Sequence, residues 1–311
     1  MQIFRGLKNI PNDIANCAVT IGNFDGIHLG HHQIINKVIK KAKDSNLKSA
    51  VVTFAEHPIK LFAPESATNF LIYSLSQKLK FFQDFKIDYL IILPFNKKIA
   101  NISAKNFVKE ILVEKIKTKE LIIGYDFIFG KNREGNFEFL QKQADELNFN
   151  LSRVPALTKN DEILSSTLVR KYIKTGELEK ANNILGKEFE VEGIINQGNK
   201  NGHKIGFPTM NLHLKELQII PKFGVYKSKI YIKHLDKEFN SVTNFGIRPT
   251  IDDDKRPLYE THIIDFDREK YGSFYYKKIV VKLEKFIRGE IKFASFDELR
   301  DQITADIEAC R

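Results

Sequence analysis

His28-Leu29-Gly30-His31 sets two imidazoles around a glycine directly before a segment of helical period. The longer stretch Gly22-Asn23-Phe24-Asp25-Gly26-Ile27-His28-Leu29-Gly30-His31 joins the apolar run Ala18 to Ile21 to that helix. Glycines at such a turn let the backbone approach a ligand, and a helix N-terminus favours an anion. Two histidines spaced H-x-G-H can point at one phosphate and donate hydrogen bonds that strengthen as charge builds on a leaving pyrophosphate. That is the chemistry of nucleotidyl transfer. A polar turn that happens to hold His28, His31 and His32 fits the same residues. A second element, Leu164-Ser165-Ser166-Thr167-Leu168-Val169-Arg170, places hydroxyls at a helix N-cap and an arginine one turn inside. This suits a triphosphate, although a well-capped helix also explains it.

A different kind of phosphate loop lies farther on, in Gly198-Asn199-Lys200-Asn201-Gly202-His203-Lys204-Ile205-Gly206-Phe207-Pro208-Thr209-Met210-Asn211-Leu212. It lacks the Walker A lysine and hydroxyl. Its glycines still expose backbone donors, and Thr209 and Asn211 offer two oxygen ligands on one side of an extended segment, suited to Mg²⁺. A turn followed by a strand is the competing explanation.

With these elements the chain resembles the nucleotidylyltransferase superfamily, whose signatures are H-x-G-H and I-S-S-T-x-x-R. It resembles more closely the prokaryotic bifunctional riboflavin kinase/FAD synthetase family. Thr53-Phe54-Ala55-Glu56-His57-Pro58 is similar to that family's T-F-x-x-H-P flavin-pocket segment, with Ala55-Glu56 where a Glu-Pro pair is common. Residues 124 to 135, from Gly124-Tyr125-Asp126-Phe127 to Arg133-Glu134-Gly135, are similar to its G-x-[DN]-F-x-F-G-x-x-R-x-G loop. The glycine loop matches G-x-x-x-G-x-x-x-G-F-P-T-A-N with Met210 in place of alanine. Asn244-Phe245-Gly246-Ile247-Arg248-Pro249-Thr250 and Tyr259-Glu260-Thr261-His262-Ile263-Ile264-Asp265-Phe266 resemble N-x-G-x-R-P-T and E-x-H-x-x-D-F.

The resemblance implies residue roles in each half. In the first, His28, His31 and Arg170 bind and stabilise the triphosphate, and Gly22, Asn23, Asp25, Gly30, Ser165, Ser166 and Thr167 contact ATP. Phe54, His57, Pro58 and Asp126 face the flavin. In the second, Gly198, Gly202, Lys204, Gly206, Pro208 and Asn244 contact ATP, and Thr209 and Asn211 hold Mg²⁺. Glu260 is the base that takes the proton of the terminal ribityl hydroxyl of riboflavin. FMN, made there, then receives AMP from ATP. Arginines are common in the family at Asn201 and His203, so the kinase half is expected to work with a raised KM for ATP, aided by Lys200 and Lys204.

The elements that must position these groups change in texture along the chain. Up to about Leu185, the short apolar runs Ala18–Ile21, Ala50–Phe54, Tyr89–Leu93, Leu121–Ile123 and Asn150–Val154 alternate with helical segments. The helix from His31 to Asp44 carries Ile34, Ile35, Val38, Ile39 and Ala42 on one stripe and lysines opposite. This rhythm predicts an α/β doubly wound parallel sheet, with ligands at the strand carboxyl ends. After Gly186, the runs Phe189–Ile195, Gly224–Ile232, Phe239–Phe245, Tyr259–Phe266 and Lys278–Phe286 alternate and are rich in β-branched and aromatic residues. They predict a β-barrel or antiparallel sheet, closed by a C-terminal helix that starts at a Ser295/Glu298 capping box and bears Phe296, Leu299, Ile303 and Ile307. The expected domains are 1–185 for adenylyl transfer and 186–311 for the kinase.

The bulk properties agree with two globular domains: 311 residues, 42% hydrophobic and 28% charged. The net charge of +10 is spread over scattered lysines, as on a solvated surface that attracts small polyanions, and no nucleic-acid partner is expected. Cys17 and Cys310 have no metal-ligand spacing. No membrane span is expected, so the reading is a cytoplasmic enzyme that hands FMN or FAD transiently to flavoproteins. Two alternatives stay open. One is FMN adenylylation alone, with a degenerate kinase half; the other is a flavin- or RNA-binding module, which salt-sensitive RNA binding without ATP turnover would reveal. A class I aminoacyl-tRNA synthetase shares H-x-G-H, but the chain has no K-M-S-K-S-like segment and is short for one.

Overall fold

The computed structural model describes residues 1–196, 207–214, 218–247, 257–272 and 276–311. The chain divides into two compact units, Met1–Ser166 and Thr167–Arg311.

The first unit is built on a six-stranded sheet of β1 (Gln2–Arg5), β2 (Cys17–Ile21), β3 (Lys48–Phe54), β4 (Tyr89–Leu93), β5 (Thr118–Gly124) and β6 (Asn150–Val154). The order is β1-β4-β3-β2-β5-β6, with all neighbours parallel. Helices α1 (Leu29–Asp44), α2 (Leu75–Asp84) and α3 (Phe137–Leu147) are among its connections. Successive strand residues enter different cores. Val51 and Ile92 pack with Phe24, Ile27, Ile35 and Phe82, whereas Val52 and Ile91 pack with Val19, Leu121, Phe107 and Leu140. Burial on both faces explains why all five residues of β2 are apolar or buried, with no polar alternation. The α1 stripe lies as expected, with Ile35, Val38 and Ala42 buried. Strand order reverses around β2, so the loops after β2, β3 and β5 share the carboxyl edge where open α/β sheets bind ligands. The edge strand β1 and a small hairpin of β7 (Thr158–Lys159) and β8 (Glu162–Ile163) lie outside the sequence expectation.

The second unit begins within helix α4 (Ser166–Thr175), one residue after its start, and continues with α5 (Leu178–Leu185). A closed antiparallel barrel follows: β9 (Phe189–Asn196), β10 (Met210–Leu214), β11 (Gly224–Ile232), β12 (Lys237–Ile247), β13 (Pro257–Ile263) and β14 (Lys278–Arg288), in the order β10-β13-β12-β11-β14-β9. Asn182 of α5 joins its helix to the barrel, accepting from the Phe189 N–H at 2.8 Å and donating to the Leu283 carbonyl at 3.0 Å. Inward-facing Ser228, Ser241, Thr243 and Thr261 are buried and linked by hydroxyl contacts of 2.8–2.9 Å, so the polar groups in the barrel satisfy one another. The strand expected to reach Phe266 ends at Ile263, because Asp265 turns the chain at φ 52°.

Helix α6 (Phe296–Cys310) begins at Ser295, whose hydroxyl accepts from the Glu298 N–H at 3.1 Å. The Glu298 carboxylate takes the Ala294 N–H instead of the Ser295 N–H, so the capping box closes one residue early. Ile307 is buried, whereas Phe296 in the first turn is 73% exposed. Arg288 of β14 grips Asp306 through Nε at 2.9 Å and Nη2 at 2.7 Å, tying α6 to the barrel.

Candidate active sites

The loop after β2 is compact and strained. Phe24, Gly26 and Ile27 all have positive φ, at 49°, 82° and 38°. For a β-branched residue such as Ile27 that conformation is an outlier, of the kind held at functional loops by their surroundings. The holding groups are visible. The buried Asp25 carboxylate accepts from the N–H groups of Ile72, at 3.1 and 3.2 Å, and Tyr73, at 3.2 Å. A Cβ at Gly26 would lie 2.9 Å from Ile72 Cδ1, so the two segments touch. Asp25, expected at ATP, thus has its carboxylate directed at backbone amides and braces the loop.

His28 occupies the N-cap of α1, where its Nδ1 accepts from the Gly30 N–H at 3.2 Å. That bond puts the ring proton on Nε2. His31 stacks on His28, with centroids 3.8 Å apart and planes at 28°, and meets the edge of Phe24 at 5.2 Å. The buried Nδ1 of His31 and Oδ1 of Asn23 have no hydrogen-bond partner among the described residues. Burial, reinforced by His28, His32 and Lys78, pushes the His31 pKa well below its ordinary value, so the ring is neutral at neutral pH. The hydroxyl segment comes to this turn: Ser166 Oγ donates to the Asp25 carbonyl at 2.6 Å, and a Cβ at Gly30 would lie 3.7 Å from the Leu164 carbonyl. Gly22 is held at the end of β2 by donating to the Val52 carbonyl at 3.1 Å. Ser165 is half-buried beside Ser166. Thr167 and Arg170 fall in the second unit, exposed and half-buried on α4.

The flavin-facing candidates sit at the ends of β3 and β5. Phe54 meets Phe95 edge-on at 5.2 Å. His57 Nδ1 accepts from the Ile59 N–H at 3.2 Å, so one ring nitrogen caps the short helical turn that Pro58 precedes, and the ring lies 5.0 Å from Phe70. Asp126 is exposed after β5, where a Cβ at Gly124 would lie 3.5 Å from its Oδ1. The loop that follows is shaped by Phe127 stacked on Phe129 at 5.3 Å.

Two side chains at this edge have no site role in the sequence reading. Lys78 of α2, 8% exposed, donates to the carbonyls of Asn23 at 3.1 Å and Phe54 at 3.3 Å. Its signal was a lysine on the same helical stripe as Leu75 and Phe82. Glu56 accepts from the Phe95 N–H at 3.3 Å.

In the second unit, barrel register assembles a polar row. Asn211 of β10 is the cross-strand partner of Glu260 on β13, and Asn244 of β12 is its partner on the other side. Thr261 and Thr243, one residue along, face the barrel interior, so Asn211, Glu260 and Asn244 face outward. Asn211 is buried; Glu260, Asn244 and Thr209 are half-buried. Pro208 is held by its carbonyl, 3.0 Å from His262 Nδ1. Val242, two residues before Asn244 on β12, belongs to an apolar cluster with Val225, Ile264, Ile307 and Cys310, against which Phe207 and Ile303 pack.

Gly198, Gly202, Lys204 and Gly206, with Lys200, Asn201, His203 and the Arg248-Pro249-Thr250 segment, lie outside the described residues. Among those described, no group of three or more His, Cys, Asp or Glu could hold a metal ion. The hydroxyl of Thr209 and the amide oxygen of Asn211 are hard oxygen donors two residues apart. That sparse set fits Mg²⁺, which keeps most of its shell as water and substrate phosphate.

The chain matches a family model described as FAD synthetase over residues 10–168 and one described as riboflavin kinase over residues 185–311. It is 37% identical over 311 residues to a bifunctional riboflavin kinase/FMN adenylyltransferase of Haemophilus influenzae, covering 100% of this chain and 98% of that protein. To one of Buchnera aphidicola it is 35% identical over 310 residues, covering 99% and 97%. A crystal structure from Streptococcus pneumoniae described as a macrolide-efflux protein is similar with a TM-score of 0.88 and 26% identity, over 100% of this chain and 99% of that one. No helix among the described residues is long and apolar enough to cross a membrane.

Proposed function

The chain belongs to the bifunctional riboflavin kinase/FMN adenylyltransferase family, and from that membership we propose how its two sites share the work. It phosphorylates riboflavin with ATP to give FMN, then transfers AMP from a second ATP to FMN, releasing pyrophosphate and giving FAD. The observation that carries the reading is that each unit holds its own polar site: the stacked His28/His31 turn in the first, and the Asn211–Glu260–Asn244 row in the second.

In adenylyl transfer a phosphate oxygen of FMN attacks the α-phosphorus of ATP, and the bond to the β-phosphate oxygen breaks. His28 and the neutral His31 donate hydrogen bonds to the phosphates as negative charge moves onto the leaving pyrophosphate. Gly22, Asn23 and Gly30 let the loop backbone approach ATP, with Asp25 as its brace. Ser165, Ser166, Thr167 and Arg170 complete the phosphate contacts assigned by the motif. Phe54, His57, Pro58 and Asp126 orient the flavin. No side chain becomes adenylylated, because positioning and electrostatics suffice for this displacement.

In the kinase half Glu260 accepts the proton of the terminal ribityl hydroxyl while that oxygen attacks the γ-phosphorus, and ADP leaves. An ionised carboxylate at neutral pH suits that task. Asn244 and Pro208, with the loop glycines Gly198, Gly202 and Gly206 and with Lys204, bind ATP. Thr209 and Asn211 would hold Mg²⁺, which when bound neutralises phosphate charge.

The functional halves are residues 1–185 and 186–311. The enzyme acts in the cytoplasm, has no nucleic-acid partner and hands FMN or FAD transiently to flavoproteins. Labelled ATP tests the scheme. Label at the γ-phosphorus should appear in FMN and label at the α-phosphorus in the AMP half of FAD, with none left covalently on protein. An adenylylated protein would overturn the direct displacement.

A further inference from the structure

Burying an ammonium costs several kcal/mol unless strong acceptors receive it, so a lysine on the apolar stripe of a helix calls for a reason. Lys78 occupies such a position on α2, and a leucine or methionine would cover the same surface without that cost. Its Nζ donates to two backbone carbonyls that are distant in sequence and adjacent in the sheet: Asn23, in the loop after β2, at 3.1 Å, and Phe54, the last residue of β3, at 3.3 Å. These loops carry the two sets of groups that must meet for adenylyl transfer. One holds His28 and His31 for the triphosphate; the other leads into His57 and Pro58 for the flavin. The ladder between β2 and β3 ends with the pairing of Ile21 with Val52 and the Gly22 N–H donating to the Val52 carbonyl at 3.1 Å, and beyond it Thr53 Oγ1 gives the Asn23 carbonyl one neutral hydrogen bond at 3.3 Å.

We propose that Lys78 is a positioning residue for adenylyl transfer, fixing the loop of Asn23, His28 and His31 against the segment of Phe54, His57 and Pro58. Beyond the end of the ladder the ammonium adds two charge-assisted hydrogen bonds, each stronger than a neutral one such as that of Thr53. Held this way, the phosphate-binding and flavin-binding groups keep one spacing before either substrate arrives. A misplacement of about 1 Å in such a site costs about a hundredfold in rate. The charge has a second effect. The titratable and charged groups facing His31 are His28 and His32 of α1 and Lys78 of α2, and all three oppose its protonation alongside burial.

The inference rests on the first unit being the adenylyltransferase, and the same chain supplies the control, because riboflavin phosphorylation belongs to the other unit. Full-length K78M, K78Q and K78R are compared with wild type for FMN adenylylation, for riboflavin phosphorylation and for the His31 titration followed by NMR. K78M should lower the kcat of adenylylation by about tenfold to a hundredfold. Its kinase rate should be unchanged and its His31 midpoint raised. K78R, which keeps charge and donors, should recover most of the loss. K78M with wild-type adenylylation kinetics and an unmoved His31 midpoint would overturn the proposal. If K78M loses its native near-UV spectrum, folded K78Q decides: it reaches less far and carries no charge, so wild-type rates there overturn the proposal too. A wild type that forms no FAD from FMN would instead sink the assignment on which the inference rests.

Discussion

Asn211 of β10 stands directly opposite Glu260 of β13 across an antiparallel ladder. The relationship joins residues far apart in sequence, places a side-chain amide beside a carboxylate, and keeps both on the outer face of the barrel.

Replacing Glu260 with glutamine keeps its shape and removes its basicity. E260Q should slow riboflavin phosphorylation by about 10²–10⁴-fold while FMN adenylylation by the same preparation is unchanged. Steady-state rates from riboflavin and from FMN check this. A kinase rate within a few-fold of wild type would remove Glu260 from the role of base.

Gly26 combines φ 82° with a Cβ position 2.9 Å from Ile72 Cδ1. Gly26→Ala must therefore meet left-handed strain and a clash together, and it should cost about 2 kcal/mol in urea unfolding of the first unit. Adenylylation should fall more than phosphorylation, since the displaced Ile72 shares the Asp25 carboxylate.

His31 gives the first unit a pH dependence of definite sign. Its pKa in the folded state lies well below the ordinary 6.5, chiefly through burial, so below about 6.5 the unfolded chain binds the proton that the folded chain refuses. The contribution is fully present above the unfolded value and is lost as pH falls toward the folded one. Urea midpoints measured from pH 8 to pH 5 should decline at the acid end, and H31Q should flatten that decline. An unchanged slope in H31Q would locate the acid sensitivity elsewhere.

The glycine loop carries neutral Asn201 and a weakly basic His203 where its family commonly has arginines. Restoring them in the N201R/H203R double variant should lower the KM of the kinase for ATP severalfold without altering the KM for FMN in adenylylation. An unaltered ATP KM would show that Lys200 and Lys204 already supply the charge needed.

Much of the architecture was legible because periodicity and burial coincide. Tyr89–Leu93, Asn150–Val154 and Gly224–Ile232 have the bounds that their apolar runs suggest. Strand β1 was not, since Gln2-Ile3-Phe4-Arg5 is a short, mostly exposed edge whose pairing with β4 is invisible locally. The hairpin Thr158–Lys159 with Glu162–Ile163 is shorter still and exposed. At the candidate sites, residue types marked the turn of His28 and His31, but the partners of a carboxylate are revealed by no spacing. Asp25 reads as an ATP contact, and no spacing shows that its carboxylate receives the amides of Ile72 and Tyr73, 47 and 48 residues away. Lys78 is the converse case: its position on an apolar stripe was a readable anomaly, whereas the two carbonyls it joins emerge only from the order of β2 and β3. Phe296 shows the limit of helical pattern alone, for it belongs to an apolar series yet lies in an exposed first turn.

The most direct test is chromatography of flavins after incubating the full chain with ATP and Mg²⁺, started in one tube from riboflavin and in another from FMN. Two working sites predict FAD in both tubes, with FMN appearing transiently in the first. FAD from FMN alone would contradict the kinase assignment, and no new flavin in either tube would contradict the account as a whole.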